Sequence, residues 1–192
     1  MTDEGDNRTL LLNAALSLFS ERGYEAVGVA ELAEAAGVTK PTLYHYFGSK
    51  RGLLDAVLEA KGGALLESVR AAARYDRDVP LGLERLGLAL ARFARAEPEF
   101  ARLRLALSVA PPASEACEAA RALNEGLFAA LEGFFRAAAA DHGNMKGRSR
   151  AYAASFLGTF DGYAARQLAG AAPLDDRTAR EALRQFMYGI FS

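Results

Sequence analysis

A glycine at position 37 separates two short segments with helix-forming patterns, and this spacing constrains the fold more than any other feature of the chain. The segment before it, residues 29–36, is rich in good helix formers and has one apolar side. Glycine adopts positive φ at no steric cost, so Gly37 allows one helix to end and another to begin at a steep angle. Thr39 suits the N-cap of the second helix, and Pro41 suits its first turn. The sequence therefore predicts a helix-turn-helix.

The second helix of this motif is expected to have two chemically different sides. Leu43 and Phe47 are four residues apart and can face a core together with Val38. The polar and aromatic residues between them then point outward: Lys40, Thr42, Tyr44 and His45. One cation, one hydroxyl and two aromatic hydrogen-bonding groups suit the edges of bases in a DNA major groove. Taken singly, each of these residues would be interpreted as part of a solvated helix surface, and it is their combination with the turn glycine, the helix cap and Lys50-Arg51 that favours DNA contact.

The charge of the chain is low overall but is arranged locally. The 192 residues carry a formal net charge of −1, unlike a non-specific nucleic-acid coat protein. Between residues 37 and 54, however, the ionised side chains are Lys40, Lys50 and Arg51, with no acidic residue among them. This distribution favours one oriented cationic face, because a cation adds salt-dependent DNA affinity only where it meets a phosphate.

Two segments of the first quarter resemble a known family. Residues 10–24 are similar to the first helix, and the glycine-aromatic turn after it, of the TetR-like family of bacterial transcription regulators. Residues 32–47, followed by Ser49 and Lys50, resemble the signature of that family. The resemblance implies an all-α fold. It further implies an N-terminal three-helix helix-turn-helix DNA-binding domain at residues 1–50 and a C-terminal helical effector-binding and dimerisation domain at residues 51–192.

The resemblance also implies which residues contact DNA, with Tyr44 and Lys50 on phosphates. The implied positions are Gly28, Thr39, Lys40, Pro41, Thr42, Tyr44, His45 and Lys50. The chain departs from the family pattern at Gly28, where a Thr or Ser usually caps the first helix of the motif (residues 29–36). It also departs at Ala30, which replaces a frequently basic residue. A glycine N-cap costs only a few tenths of a kcal/mol, so the helix should form. Phosphate contacts at this helix start would then depend on backbone amides.

The remaining sequence predicts helices, because alanine and leucine dominate and the breaks between helices fall at Pro, Gly and Asp-rich points. One helix is predicted from near Lys50 to about Tyr75. Later helices are predicted at residues 81–96, 98–109, 114–140, 148–169 and 175–191. The pair Gly62-Gly63 is unusual within the first of these, since each glycine costs about 1 kcal/mol in a helix interior. Either close packing requires small residues there, or the pair softens a helix that joins two domains.

Aromatic residues are concentrated in the second domain, which suits the lining of an apolar pocket. For any one of them taken singly, ordinary core packing is the better explanation. The resemblance implies that the helical domain holds a small apolar effector. The candidate lining residues are Phe93, Phe100, Leu103, Leu107, Phe128, Phe156, Phe160 and Tyr163.

The last two predicted helices carry large apolar faces that a monomer would leave exposed. The residues expected at a dimer interface are Phe156, Leu157, Phe160, Leu168, Leu183, Phe186, Met187 and Ile190. The resemblance implies a two-fold homodimer whose recognition helices lie about one helical turn of DNA apart, on a near-palindromic operator of double-stranded DNA.

These features together predict a sequence-specific DNA-binding regulator, a repressor that an apolar small molecule releases from its operator. An activator of the same fold, or a regulator that responds to no small molecule, is the alternative. No Ser-His-Asp, metal-ligand or phosphate-loop pattern is evident in the sequence, so neither an enzyme nor a cofactor is expected. The single cysteine, Cys117, allows no intramolecular disulfide. No apolar run is long enough to span a membrane and the first residues are acidic, so a cytoplasmic protein is expected.

Overall fold

In this computed structural model residues 4–189 are described, and their regular structure is helical throughout, with no strand in that range. The helices are α1 (Glu4–Arg22), α2 (Val29–Ala35), α3 (Lys40–Phe47), α4 (Lys50–Val57), α5 (Gly63–Ala72), α6 (Val79–Ala96), α7 (Pro98–Ser108), α8 (Glu115–Asp141), α9 (Ser149–Leu168) and α10 (Asp176–Tyr188). The all-α prediction is confirmed. Among the described residues, no helix has the length and apolar character needed to cross a membrane.

Short polar side chains define where several helices begin. Asp78 accepts a hydrogen bond from the backbone N–H of Leu81 at 2.9 Å, which caps α6. Asp175 accepts one from the N–H of Thr178 at 2.7 Å, which caps α10 and lowers the pKa of the Asp175 carboxyl. Each cap satisfies one of the N–H groups that a helix start leaves without a partner. These starts lie within two residues of those predicted from the sequence.

The chain forms two compact units that do not follow the expected division at residue 50. The first unit contains the residues up to Gly63 together with Glu99–Ala122. The second contains Ala64–Pro98 together with the residues from Leu123 onward. The helix-turn-helix therefore shares one compact unit with α7 and the first turns of α8, although these segments are distant in sequence.

Two glycines of α6 accommodate aromatic rings in the core of the second unit. A Cβ at Gly82 would stand 2.4 Å from Cε2 of Phe134, and a Cβ at Gly87 would stand 2.4 Å from Cζ of Phe160. Both rings are buried, so neither can move aside easily. Close helix packing around aromatic side chains thus explains these glycines.

Gly62-Gly63 lies in a different environment. Residues Leu58–Gly62 form a π-helical segment between α4 and α5, and Gly63 begins α5 with ordinary helical angles. Gly62 is buried, whereas Gly63 is exposed and has nothing within 4 Å of the place where a Cβ would stand. Packing therefore does not explain Gly63, whereas single-turn π segments of this kind are frequent at functional sites.

Two alanine substitutions in helices should change stability in opposite directions. Gly63→Ala should raise the free energy of unfolding by about 0.5–1 kcal/mol, because it restricts the unfolded chain and meets no neighbour. Gly82→Ala should lower it by about 1–3 kcal/mol, because the new methyl overlaps the Phe134 ring. Urea unfolding followed by circular dichroism measures both. A stabilised Gly82→Ala protein would contradict the packing described for α6.

Candidate DNA-binding site

The turn between α2 and α3 has the geometry that the sequence predicts. Gly37 has a φ of 66°, in the left-handed region that glycine favours. Its N–H donates to the carbonyl of Glu34 at 3.0 Å, and the N–H of Val38 donates to the carbonyl of Ala33 at 2.9 Å. These bonds satisfy the carbonyls at the end of α2 and reverse the chain. The second helix can then start three residues after the glycine.

Helix α3 has one buried apolar side and one exposed polar side. Leu43 is fully buried, while Phe47 and Val38 are half-buried, as the predicted two-sided pattern requires. Thr39 caps the helix by accepting from the N–H of Thr42 at 3.3 Å. The predicted contact residues Thr39, Lys40, Pro41, Tyr44 and His45 are exposed, and Thr42 is half-buried. We call these six residues the exposed row, and their side of the helix is open to a nucleic-acid groove.

The hydroxyls of Thr39 and Thr42 lie 2.8 Å apart and share a hydrogen bond. Tyr44 is 49% exposed, so its ring and hydroxyl stand out from the helix surface. The exposed row thus combines a hydroxyl pair, an aromatic hydroxyl, an imidazole and a cation, which can reach both base edges and phosphates.

Lys50 is placed differently from the other predicted contacts. Its ammonium donates to the backbone carbonyls of Tyr24 at 3.0 Å and Val27 at 3.2 Å. It also lies 4.1 Å from the centre of the Tyr24 ring, within cation–π range. Lys50 therefore joins the start of α4 to the turn after α1, and two of its three ammonium protons have acceptors in the protein.

A second polar connection joins the same turn to α8. The hydroxyl of Tyr24 donates to Oε2 of Glu115 at 2.7 Å, and Nη1 of Arg51 donates to the Glu115 carbonyl at 3.1 Å. Burial and this bond to a carboxylate both raise the pKa of Tyr24 above its ordinary value. Arg51 also pairs with Asp55, Nε to Oδ1 at 2.8 Å, and lies 3.6 Å from the Glu118 carboxylate. The first unit thus has a polar network between helices distant in sequence.

Three features of this unit were not predicted from the sequence. They are the Tyr24–Glu115 hydrogen bond, the ion pair of Arg22 with Glu31, and the guanidinium of Arg8, which lies 5.6 Å from the centre of the Phe47 ring. Arg8 thus adds a cation beside the recognition helix. Arg8 lies in α1, outside the two helices of the motif, so the motif gave no signal for this contact, and sequence spacing gave none for the long-range bond between Tyr24 and Glu115.

At Gly28 the helix start has no side-chain cap, but its backbone is extended, with φ −93° and ψ 156°. Helix α2 forms despite the missing Thr or Ser, as expected for a glycine N-cap. Gly28 is exposed, so the first amides of α2 remain the groups that would contact a phosphate there.

The candidate effector residues are divided between the two compact units. Phe100, Leu103 and Leu107 belong to the first unit, where Leu103 and Leu107 border the same surface depression. Phe156 and Phe160 are buried in the core of the second unit. The other three candidates, Phe93, Phe128 and Tyr163, are half-buried in the second unit.

The expectation of an exposed apolar patch is wrong for Phe156, Phe160 and Leu183, because the protomer buries all three itself. Phe186 is half-buried and packs its ring 5.3 Å from that of Phe156 and 6.2 Å from that of Phe135. The apolar side of α10 therefore serves the interior of the chain. Three other predicted interface residues, Leu157, Leu168 and Met187, are half-buried, and Ile190 lies outside the described residues.

The Thr39 cap of α3, the left-handed glycine before it and the exposed row of α3 together define a helix-turn-helix domain of the DNA-binding class. Comparison with known proteins agrees. Residues 11–57 match the family model described as bacterial regulatory proteins, tetR family. The N-terminal helix-turn-helix of this chain is therefore similar to the domain that this family model describes.

Two curated relatives match part of this chain, and the chain spans about a third of their length or less. The chain is 45% identical over 73 residues to the HTH-type transcriptional activator FasR of Mycolicibacterium smegmatis, and 47% identical over 51 residues to the HTH-type transcriptional repressor KstR2 of Rhodococcus jostii. These stretches cover 38% and 27% of this chain but only 33% and 25% of the relatives.

Solved structures share the fold over nearly the whole length. A transcriptional regulator FadR from Bacillus subtilis, in complex with stearoyl-CoA, has a TM-score of 0.79 at 20% identity, covering 95% of this chain and 98% of that one. The TetR family regulator PfmR from Thermus thermophilus has a TM-score of 0.76 at 24% identity, covering 95% and 96%. At this level of sequence identity, the structural similarity establishes only a shared architecture, which is an N-terminal helix-turn-helix followed by a helical region.

A double-mutant cycle measures the Tyr24–Glu115 hydrogen bond. Tyr24→Phe and Glu115→Ala should each lower the free energy of unfolding by about 1–2 kcal/mol, because each removes one side of a partly buried, charge-assisted bond. The double variant should lose less than the sum of the single losses, by about 1 kcal/mol. Urea unfolding of the four proteins provides the coupling energy, and strict additivity would show that the bond contributes nothing. Tyr44→Phe, at an exposed site, is the matched control and should be neutral.

Proposed function

We propose that this chain is a cytoplasmic, sequence-specific transcriptional regulator that binds a near-palindromic operator as a homodimer. The observation that supports this most strongly is the exposed row on α3, which a capped helix start and a left-handed glycine position as in a recognition helix. The matched family is one of bacterial regulatory proteins, and no enzymatic activity is proposed.

In this proposal the exposed row divides its work between bases and phosphates. Thr39, Pro41, Thr42 and His45 face base edges, while Lys40 and Tyr44 contact phosphates. Lys50 can contribute its third ammonium proton to a phosphate while it keeps both backbone carbonyls. The amides after Gly28 supply a further phosphate contact.

Dimerisation is assigned to the exposed face of α9. Gly158 and Gly162 lie four residues apart on this face and have nothing within 4 Å of a Cβ position. Since a glycine inside a helix costs about 1 kcal/mol and nothing in the protomer requires either one, close approach of a partner helix supplies the reason. Ala154 and Ala165 extend the same exposed face.

Repression relieved by a small apolar effector is the favoured mode of regulation. The half-buried aromatics of the second unit, Phe93, Phe128 and Tyr163, are the proposed contacts. An acyl thioester is a reasonable first compound to test, because the FadR of similar fold is described in complex with stearoyl-CoA. A preference of about 10⁴-fold for one of two conformations, about 5.5 kcal/mol, would switch operator occupancy almost completely.

Activation is the second candidate. It is favoured by one observation: FasR, 45% identical over 73 residues, carries the description of a transcriptional activator. The DNA-binding step is common to both candidates, so a transcription assay with the selected operator placed upstream of, or overlapping, a promoter distinguishes them.

Selection of bound sequences from random duplex DNA tests the proposal directly. The purified chain at moderate salt should enrich a near-palindrome whose half-sites lie about one helical turn apart. A folded, dimeric protein that enriches no sequence would overturn the assignment of a sequence-specific regulator.

On the selected operator, Lys40→Gln should weaken binding and reduce the slope of log K against log salt by about 0.9 per monomer, because one phosphate contact is lost. Fluorescence anisotropy at several salt concentrations measures the slope. Lys146→Gln is the matched control, since Lys146 is an exposed lysine outside the helix-turn-helix, and it should leave the slope unchanged. An unchanged slope in Lys40→Gln would remove Lys40 from the phosphate contacts.

The dimer face is tested by Gly158→Arg. A long cation on this face should prevent close approach of a second α9 and give monomers in light scattering. Gly133→Arg, at an exposed glycine of α8 that also has nothing within 4 Å of its Cβ position, is the control and should remain dimeric. Dimers of unchanged mass in both variants would place the interface elsewhere.

A further inference from the structure

A cation from outside the helix-turn-helix lies beside the end of the recognition helix. The guanidinium of Arg8, in the first turns of α1, stands over the ring of Phe47 at 5.6 Å from the ring centre. Both residues belong to the first compact unit. Cation–π contacts act within about 6 Å, so the ring attracts this charge and keeps it at the last turn of α3. The exposed row does not include Arg8.

The position of Phe47 places this charge on one particular side of α3. Lys40, Tyr44 and Phe47 are spaced as i, i+4 and i+7, and residues at this spacing share one side of a helix. Lys40 is exposed and Tyr44 is 49% exposed, whereas Phe47 is half-buried at the edge of the core. Arg8 therefore continues the side of α3 that carries the two side chains assigned to phosphates.

Helix α1 directs Arg8 to this place. Leu11 and Ala15 follow Arg8 as i+3 and i+7 and are fully buried, so all three residues lie on the side of α1 that faces the core. Arg8 itself is exposed, which places it where the buried side of α1 meets the solvent. Its long side chain can thus cover Phe47 while its charged end stays accessible.

The guanidinium of Arg8 keeps its capacity to bind an anion. Among the side chains that the structure describes, no carboxylate pairs with Arg8, whereas Arg22, at the other end of α1, pairs with Glu31. A guanidinium has five N–H donors in one plane, and this fork matches two oxygens of a phosphate. The contact with the Phe47 ring uses the charge of Arg8 and leaves those donors available.

We propose that Arg8 binds a phosphate of the DNA backbone, beside the phosphates that Lys40 and Tyr44 contact. Phe47 is then a positioning residue, because its ring holds the guanidinium at the end of α3. Contacts to phosphate oxygens carry no base information, so Arg8 sets the affinity and orientation of the bound chain and not its sequence preference. This inference rests on the proposed function, since it adds a contact to the same DNA-binding surface.

The slope of log K against log salt, measured by fluorescence anisotropy, tests this contact. Arg8→Gln should reduce the slope by about 0.9 per monomer, on the selected operator and on an unrelated duplex alike, because one phosphate contact is lost on each. Arg8→Lys should keep the native slope, since an ammonium neutralises the same phosphate. Arg22→Gln is the matched control. It changes the net charge equally at the far end of the 19-residue α1, about 20 Å away along the axis, and should leave the slope unchanged.

The role of Phe47 is tested in a double-mutant cycle. Phe47→Leu removes the ring but keeps an apolar side chain at the edge of the core. Arg8→Gln should weaken operator binding about fivefold or more in the native chain and clearly less in the Phe47→Leu background, because the guanidinium is no longer held at the phosphate there. Equal losses in the two backgrounds would show that Phe47 does not position Arg8.

These measurements separate a DNA contact from a purely structural role. An unchanged slope in Arg8→Gln, with a lowered free energy of unfolding in urea, would make Arg8 a support for the end of α3 and overturn the phosphate contact. A different sequence selected by Arg8→Gln from random duplex DNA would overturn it as well, because a phosphate contact reads no base. A native chain that binds neither duplex would instead contradict the proposed function itself.

Discussion

Tyr24 is buried and its polar atoms have hydrogen-bond partners, and the first compact unit depends on this constraint. The turn after α1 places backbone carbonyls at Tyr24 and Val27 where no helix supplies a donor, and the Lys50 ammonium satisfies both. The Tyr24 ring packs against Phe19, and its hydroxyl donates to Glu115. An unsatisfied buried polar group costs about 1–3 kcal/mol, so the positions of α1, α4 and α8 are determined together.

This arrangement gives α7 and the first turns of α8 a direct role in the DNA-binding unit. Residues Glu99–Ala122 belong to the same compact unit as the helix-turn-helix, and Arg51 reaches both Glu115 and Glu118 across it. A displacement of α8 at Glu115 must therefore break or carry along the contacts of Tyr24 and Arg51. The turn that leads into α2 is bonded to the start of α8 through the hydrogen bond between Tyr24 and Glu115.

The aromatic residues of the second unit mainly fill its core. Phe160 packs against Gly87 and Phe134 against Gly82, each at a distance that leaves no room for a Cβ. An effector that used Phe156 or Phe160 would have to open this packing, and removing a Phe from a core costs about 3–5 kcal/mol. Half-buried residues such as Phe93 and Tyr163 can meet a ligand without that cost.

The sequence by itself determined the local structure: the helices, the left-handed glycine at position 37, the Thr39 cap and the two-sided pattern of α3. Each of these depends on residues within a few positions of one another, where propensity, capping and periodicity act. Only the tertiary structure decided that Lys50 binds two carbonyls, that Glu115 meets Tyr24, and that Phe156 and Phe160 are core residues. An amphipathic pattern shows that a helix face is apolar but not what covers it. The partner of a side chain 91 positions away is selected by packing, which no spacing in the sequence records.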